Sequence, residues 1–189
     1  MNETLQAIRQ RRSIRKFQDT PIPDESRDAI IEAGRLAPSA MNRQERHFTI
    51  VQSQSLLADL NRESKAIAAT SRNRHISLMA QSENYNIFHH APLVIVVSGP
   101  DRPMVESDCA AAIQNMLIAA QSLGYGSCWV NFALFPFNGP KGGEFLQRLG
   151  IPEGYRPYGS LVVGVREDGP TGERVIRGNT VNTIPEDAA

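Results

Sequence analysis

The chain has 189 residues, with 20 basic and 20 acidic side chains and 41% hydrophobic content. That length fits one domain with a substantial core, and the balanced charge, with a pI near 6.9, excludes the domain-wide positive field of a general nucleic-acid binder. No apolar run approaches the ~20 residues of a membrane-spanning helix, and the opening Met-Asn-Glu-Thr-Leu lacks the features of a secretory signal, so the sequence points to a cytoplasmic protein.

A first helix is expected from about Thr4 to Arg12. Its end carries the segment Arg9-Gln-Arg-Arg-Ser-Ile-Arg-Lys16, five cations and a hydroxyl in eight residues with no acid among them. Guanidinium groups fork onto phosphate oxygens and Ser13 adds a hydroxyl donor, so a small phosphorylated ligand is the natural partner. Two competing readings are solvated surface charge and complementation of the helix C-terminus, for which one or two cations would suffice.

Asp24, set after Pro23 and before Ala29, Ile30, Ala33 and Leu36, predicts a second helix from about Glu25 to Leu36, stopped by Pro38. The loop Ala37-Pro-Ser-Ala-Met-Asn-Arg-Gln44 follows, with hydroxyl, amide and backbone donors over a length suited to lining a pocket. His47 to Val51 reads as a short strand, and Ser55 to Ala69 as a third helix on Leu56, Leu57, Leu60 and Ile67. From Thr70 to Asn86 the periodic signal fades. That stretch carries Arg72, Arg74 and His75 and reads as a mobile cover or a poorly packed helix.

Leu93 to Val97 is a continuous apolar run, the pattern of a central strand covered on both faces. Glu106 to Leu123 is the most apolar helix, with Ala110, Ala111, Ala112, Ile113, Met116, Leu117, Ile118, Ala119 and Ala120 nearly all round it. A helix without a polar face is buried on several sides, and a second copy of the chain supplies the simplest second side. Gly124 ends it, Ser127 to Phe132 follows as a strand, Glu144 to Leu149 as a short helix closed by Gly150, and Ser160 to Val165 as a last strand. Residues 166–189 hold too few apolar side chains for a core of their own, so they either fray or lie along another surface such as that of a partner subunit. The sum is one α+β domain with helices on both faces of a small sheet.

Nucleophile-elbow, Walker, dinucleotide-fingerprint and zincin motifs are all missing. His89 and His90 are adjacent, with side chains pointing apart and no third ligand spaced to join them, which argues against a metal. Cys109 and Cys128 read as reduced, buried thiols. Asp108 reads as a first-turn residue of the apolar helix.

Three stretches taken in order are more specific: Arg11-Arg12-Ser13-Ile14-Arg15-Lys16-Phe17, the loop from Ala37-Pro38-Ser39 to Asn42-x-Gln44, and Asp108-Cys-Ala-Ala-Ala-Ile-Gln-Asn-Met116 with the following Leu-Gly-Tyr-Gly-Ser-Cys-Trp. With them the chain resembles the FMN-dependent nitroreductase family over essentially its whole length. The resemblance implies a three-layer α/β/α sandwich with a small mixed, mainly antiparallel sheet and a buried central helix, formed by residues 1–165, with residues 166–189 as an extended tail packed on a homodimer. It implies FMN at the subunit interface, NADH or NADPH as reductant, and nitro compounds, quinones or other small molecules as acceptors, without metal, membrane or nucleic acid.

By the same resemblance Arg11, Arg12, Ser13 and Arg15 hold the FMN phosphate and ribityl chain. Pro38, Ser39, Ala40 and Met41 run along the ribityl and ring from the partner subunit, with Asn42 and Gln44 near the isoalloxazine. Asn131 and Phe132 bring backbone amides to the N5 and O4 edge, and Arg177, or else Arg174, closes over the phosphate. Flavin chemistry needs no catalytic triad, and donor and acceptor using one face in turn implies ping-pong kinetics. Where family members often carry Gln-Pro-Trp, this chain has Gln44-Glu45-Arg46. The same fold also admits other flavin chemistry, such as enone reduction or dehalogenation, and FMN binding without turnover.

Overall fold

The computed structural model describes residues 2–167, 169, 178 and 181–184. Six α-helices and four strands are present among them: α1 Glu3–Gln10, α2 Asp24–Arg35, β1 His47–Val51, α3 Gln54–Ala69, α4 Arg74–Gln81, β2 Leu93–Pro100, α5 Val105–Ser122, β3 Gly126–Trp129, α6 Gly142–Arg148 and β4 Tyr155–Gly164. Two 3-10 segments, Ala40–Asn42 and Asn131–Asn138, complete the set. No helix among the described residues is long and apolar enough to cross a membrane.

The sheet runs β1-β2-β4-β3 with every strand pair antiparallel. The β-branched run predicted for the centre sits there, since β2 lies between β1 and β4 and all eight of its residues are buried. Successive side chains of a strand point to opposite faces, so β2 feeds two cores. Val94 and Val96 pack with Leu57, Leu60, Phe88, Phe145 and Val162 under α3 and α6. Leu93, Ile95 and Val97 pack with Ile30, Ile113, Met116, Leu117, Leu161 and Val163 under α2 and α5. This is the three-layer α+β sandwich the sequence implies.

α5 buries Val105, Cys109, Ala112, Ile113, Met116, Leu117 and Ala120 against the sheet and α2. α2 approaches it closely at Gly34, where a Cβ would stand 2.9 Å from Met116 Cγ. On the other side Ala110, Ala111 and Ile118 stay partly exposed. α1, which packs on α5, leaves Leu5 and Ile8 exposed.

Several boundaries differ from the sequence reading. α1 stops at Gln10, so only Arg9 and Gln10 of the cation-rich segment are helical. The stretch from Thr70 forms α4, capped by Asn73 Oδ1, which accepts from the backbone of His75 and Ile76 at 3.0 and 3.3 Å. Two turns of helix are too short for a periodic signal to rise above Arg72, Arg74 and His75. The strand expected to reach Phe132 ends at Trp129. Beyond it the chain winds into a 3-10 segment, whose threefold repeat sets Phe132 edge-on to Phe135 with ring centroids 5.4 Å apart. β4 starts at Tyr155 because Ser98, Gly99 and Pro100 continue the pairing past a bulge at Val97. Pro157 and Gly159 hid that extension, both being unfavourable in strand interiors.

Candidate functional site

Past α1 the chain enters the sheet edge. Ser13 forms a parallel bridge to Ser127 of β3, and Ile14 N donates to Ser127 O at 2.9 Å. Phe17 then bridges Arg166, flanked by bonds from Gln18 N to Val165 O and from Glu167 N to Lys16 O. Ile14 and Phe17 are buried, while Arg15 and Lys16 are exposed. The register needs Gly126, since a Cβ there would lie 2.9 Å from Ile14 Cγ2. The extended backbone thus holds Ser13 and Arg15 in fixed places beside β3.

The cations divide their roles. Arg12 Nη1 donates to Arg9 O at 2.9 Å and to Arg11 O at 3.1 Å, so it satisfies carbonyls at the end of α1. Arg15, Ser13 and Arg11 all bear on the Cys128 thiol and oppose its rise, but burial is the larger effect and the thiol stays protonated above its ordinary range. Cys109 is pushed up to about 12 by burial. The two thiols belong to cores on opposite faces of the sheet and are free, as the sequence reading had them.

Arg15 also faces a group of aromatic side chains, of which sequence reasoning named Phe132 and missed Tyr85. Tyr85 stands edge-on to Phe132 at 6.0 Å and to His89 at 6.1 Å. Burial, with Arg15 and His90 adding to it, holds His89 down at about 4, so its ring is neutral near pH 7. His89 and His90 both have left-handed backbone, φ 55° and 54°, a strained state for residues with a Cβ. The available signal was Asn84-Tyr-Asn-Ile-Phe-His-His90 just ahead of the central strand, where helix and strand periodicities both stop.

The 38–46 loop is built separately, at the C-terminus of α2. Met41, Asn42 and Gln44 all have left-handed φ, at 54°, 52° and 56°. Side chains hold that conformation: Gln44 N donates to Ser39 Oγ at 2.9 Å and Gln44 Nε2 to Asn42 Oδ1 at 2.9 Å. Asp108, in the first turn of α5, accepts from Ala40 N at 3.0 Å and so anchors the loop. Met41, 85% exposed, projects from it.

Arg46 explains the departure from Gln-Pro-Trp. Its guanidinium donates to Pro38 O at 3.0 Å, Ala37 O at 2.9 Å and Arg35 O at 3.2 Å, satisfying the carbonyls that end α2. Beside it, Glu45 pairs with Arg102 at 3.1 Å. Hydrogen bonds from a charged donor are worth about 1.5–3 kcal/mol each in net terms and are not additive. Arg46→Met, which keeps the stem and removes the donors, is expected to lower unfolding free energy by about 2–3 kcal/mol in a urea titration, with a lysine replacement recovering part of it.

The structure therefore brings Arg11, Ser13, Arg15 and Phe132 together around Cys128, Tyr85 and His89, with Asn131 next in chain and accepting from Trp129 Nε1 at 2.6 Å. It does not bring Pro38, Ser39, Ala40, Met41, Asn42 and Gln44 to the same place. That loop hangs from Asp108, whereas the cation segment is tied to Ser127, beyond the far end of α5. From Asp108 to Ser122 an α-helix rises about 21 Å. Arg174 and Arg177 lie outside the described residues.

Residues 8–165 match the model of the Nitroreductase family. Among solved structures, the chain is similar to an FMN-bound nitroreductase from Bacteroides fragilis, at 35% identity and TM-score 0.90, covering 98% of this chain and 100% of that one. An FMN-bound nitroreductase from Desulfitobacterium hafniense aligns at 30% identity and TM-score 0.90 with the same coverage. A protein of Methanothermobacter thermautotrophicus assigned as NADH dehydrogenase/NAD(P)H nitroreductase is 30% identical over 169 residues, which are 89% of this chain and 80% of that one.

Proposed function

The chain belongs to the nitroreductase family, and from that premise we propose that it is an NAD(P)H-dependent FMN oxidoreductase that works as a homodimer and passes electrons to nitro compounds, quinones or related small acceptors. The observation that carries this reading is the donor set along β3: Arg11 and Arg15 with the Ser13 hydroxyl, held by backbone pairing beside an aromatic wall. It is rich in donors and positive, which fits a phosphate and a polyhydroxylated chain, and the wall of Tyr85 and Phe132 fits a flat ring. Near a helix C-terminus the dipole repels anions, so more than one guanidinium is required there.

In this reading Arg11, Ser13 and Arg15 hold the phosphate end, Arg12 supports them by tying down the Arg9 and Arg11 carbonyls, and Arg174 or Arg177 closes over the phosphate from the tail, residues 166–189. Asn131 and Phe132 sit at the N5 and O4 edge. Pro38, Ser39, Ala40 and Met41 of the partner subunit run along the ribityl and ring, with Asn42 and Gln44 of the partner subunit near the isoalloxazine. FMN, when bound, supplies two-electron hydride chemistry that accepts from a nicotinamide and gives to the acceptor in turn. The chain's own task is to orient the two substrates successively over one face, which gives ping-pong kinetics. Free, buried cysteines suit a reducing compartment such as the cytoplasm.

The distance between the two half-sites supports the dimer reading. Ala110, Ala111 and Ile118 of α5, with Leu5 and Ile8 of α1, form a partly exposed apolar face. Two such faces meeting about a two-fold axis with α5 antiparallel would set the Asp108 end of one helix beside the Ser122 end of the other, so that each loop meets the other chain's cation segment.

The test is to purify the protein without added cofactor, record its visible spectrum, and titrate it with NADPH and with NADH under anaerobic conditions. A yellow protein bleached by either nicotinamide is the expected result. Colour without bleaching would mean an FMN carrier rather than an enzyme, and a colourless protein that takes up no FMN would overturn the proposal.

A further inference from the structure

Tyr85 lies in the turn between α4 and β2, and its backbone is fixed on both sides. Lys65 Nζ, from α3, donates to Ser82 O at 2.7 Å and to Tyr85 O at 2.9 Å. Asn61, one turn earlier on α3, accepts from Ile87 N at 3.0 Å, and Phe88 N donates to Asn86 Oδ1 at 2.9 Å. Ile87 and Phe88 are buried in the core next to these bonds. A turn held by four hydrogen bonds and two buried side chains is pre-organised.

What this turn presents is a half-buried phenol. Its ring is edge-on to Phe132 and His89, and its hydroxyl makes no hydrogen bond among the described residues. Burial raises its pKa, so the hydroxyl keeps its proton and acts as a donor. The other polar groups facing the wall differ in kind: Arg15 belongs to the phosphate side, and His89 is neutral. A half-buried donor without a partner among the described residues, beside a surface shaped for flat rings, suits a flat ligand bearing an acceptor oxygen.

We propose that Tyr85 is the specificity-determining hydrogen-bond donor for the electron acceptor, favouring planar acceptors whose oxygen is conjugated to the ring, such as quinone carbonyls and nitro groups, and that Lys65 is the positioning residue holding it. The assignment rests on the nitroreductase reading. In the net reaction NAD(P)H + H⁺ + quinone gives NAD(P)⁺ + hydroquinone: the nicotinamide C–H bond breaks, two electrons and a proton leave as hydride, and two O–H bonds form. The second proton comes from water, and Tyr85 keeps its own. Its part is to stabilise negative charge as it grows on the acceptor oxygen, an effect that water would screen in an open site.

The test uses the FMN-loaded dimer and Tyr85→Phe, read against ferricyanide, which takes single electrons and offers no conjugated carbonyl or nitro oxygen. The ratio of kcat/KM for a benzoquinone or a nitrobenzoate to that for ferricyanide is expected to fall about tenfold, the worth of one neutral hydrogen bond. Phenylalanine keeps the aromatic face, and each protein is assayed fully loaded with FMN as checked by its visible spectrum, so the ratio reports on the acceptor alone. Lys65→Met should lower the same ratio severalfold and Lys65→Arg should recover it. An unchanged ratio in Tyr85→Phe, or an equal loss with ferricyanide, would overturn the assignment of Tyr85 alone. A parent protein that binds no FMN would overturn the reading beneath it.

Discussion

Replacing Arg11 and Arg15 together by alanine is expected to abolish retention of FMN through purification. Each guanidinium lost removes a charge-assisted contact to an anion, worth about 1.5–3 kcal/mol, so the pair weakens binding by roughly 10² to 10⁴-fold. Fold stability should change little by comparison, because the backbone pairing of Ser13 and Ile14 with Ser127 does not use either side chain. Arg12 is the internal control. Its guanidinium is spent on the carbonyls of Arg9 and Arg11, so Arg12→Ala should lower the thermal midpoint by several degrees and cost less FMN affinity than the pair. FMN fluorescence quenching on titration, with thermal melts of the same samples, separates the two effects. If the double variant held FMN as tightly as the parent, the cations would be surface charge and the phosphate would have to sit elsewhere.

That division among the arginines shows where the sequence was legible and where it was not. A local excess of cations in a neutral chain is visible in one dimension, and so is the purely apolar run that became β2, since its pattern depends only on burial of both faces. What a linear reading lacks is pairing between distant segments. Nothing near Asp108 says that its carboxylate will catch Ala40 N, 68 positions away. Nor does Glu45-Arg46 announce that the guanidinium ends α2 by reaching back to Arg35, Ala37 and Pro38. The aromatic wall was hidden for the same reason: Tyr85 and Phe132 come from two turns, each ordered by contacts with α3 or the sheet rather than by its own periodicity. Short elements were lost to the scale of the signal. α4 has eight residues, and the 3-10 segment after β3 was absorbed into a predicted strand because both are apolar.

A site shared between two chains should be rebuilt from two disabled chains. Arg15→Ala damages the half-site tied to β3. Met41→Asp damages the loop half, placing a carboxylate at an 85% exposed position whose left-handed φ aspartate tolerates, so the chain's own fold is spared. A like charge about 6 Å from the bound anion, at an effective dielectric near 20, costs about 2–3 kcal/mol, or close to a hundredfold in affinity. Each variant alone should therefore hold little FMN and turn over little NADPH at micromolar cofactor. Mixed in equal amounts and allowed to exchange subunits, the two should form heterodimers as half of all dimers. Each heterodimer has one doubly damaged site and one site built from the intact cation segment of one chain and the intact loop of the other, so activity should recover to about a quarter of the parent's. Sites contained within single chains would give no recovery at any mixing ratio, because every one of them would carry one of the two lesions. In the proposed dimer, the 21 Å or so of helix between Asp108 and Ser122 separates each chain's loop from its own cation segment, and that makes recovery the expected result.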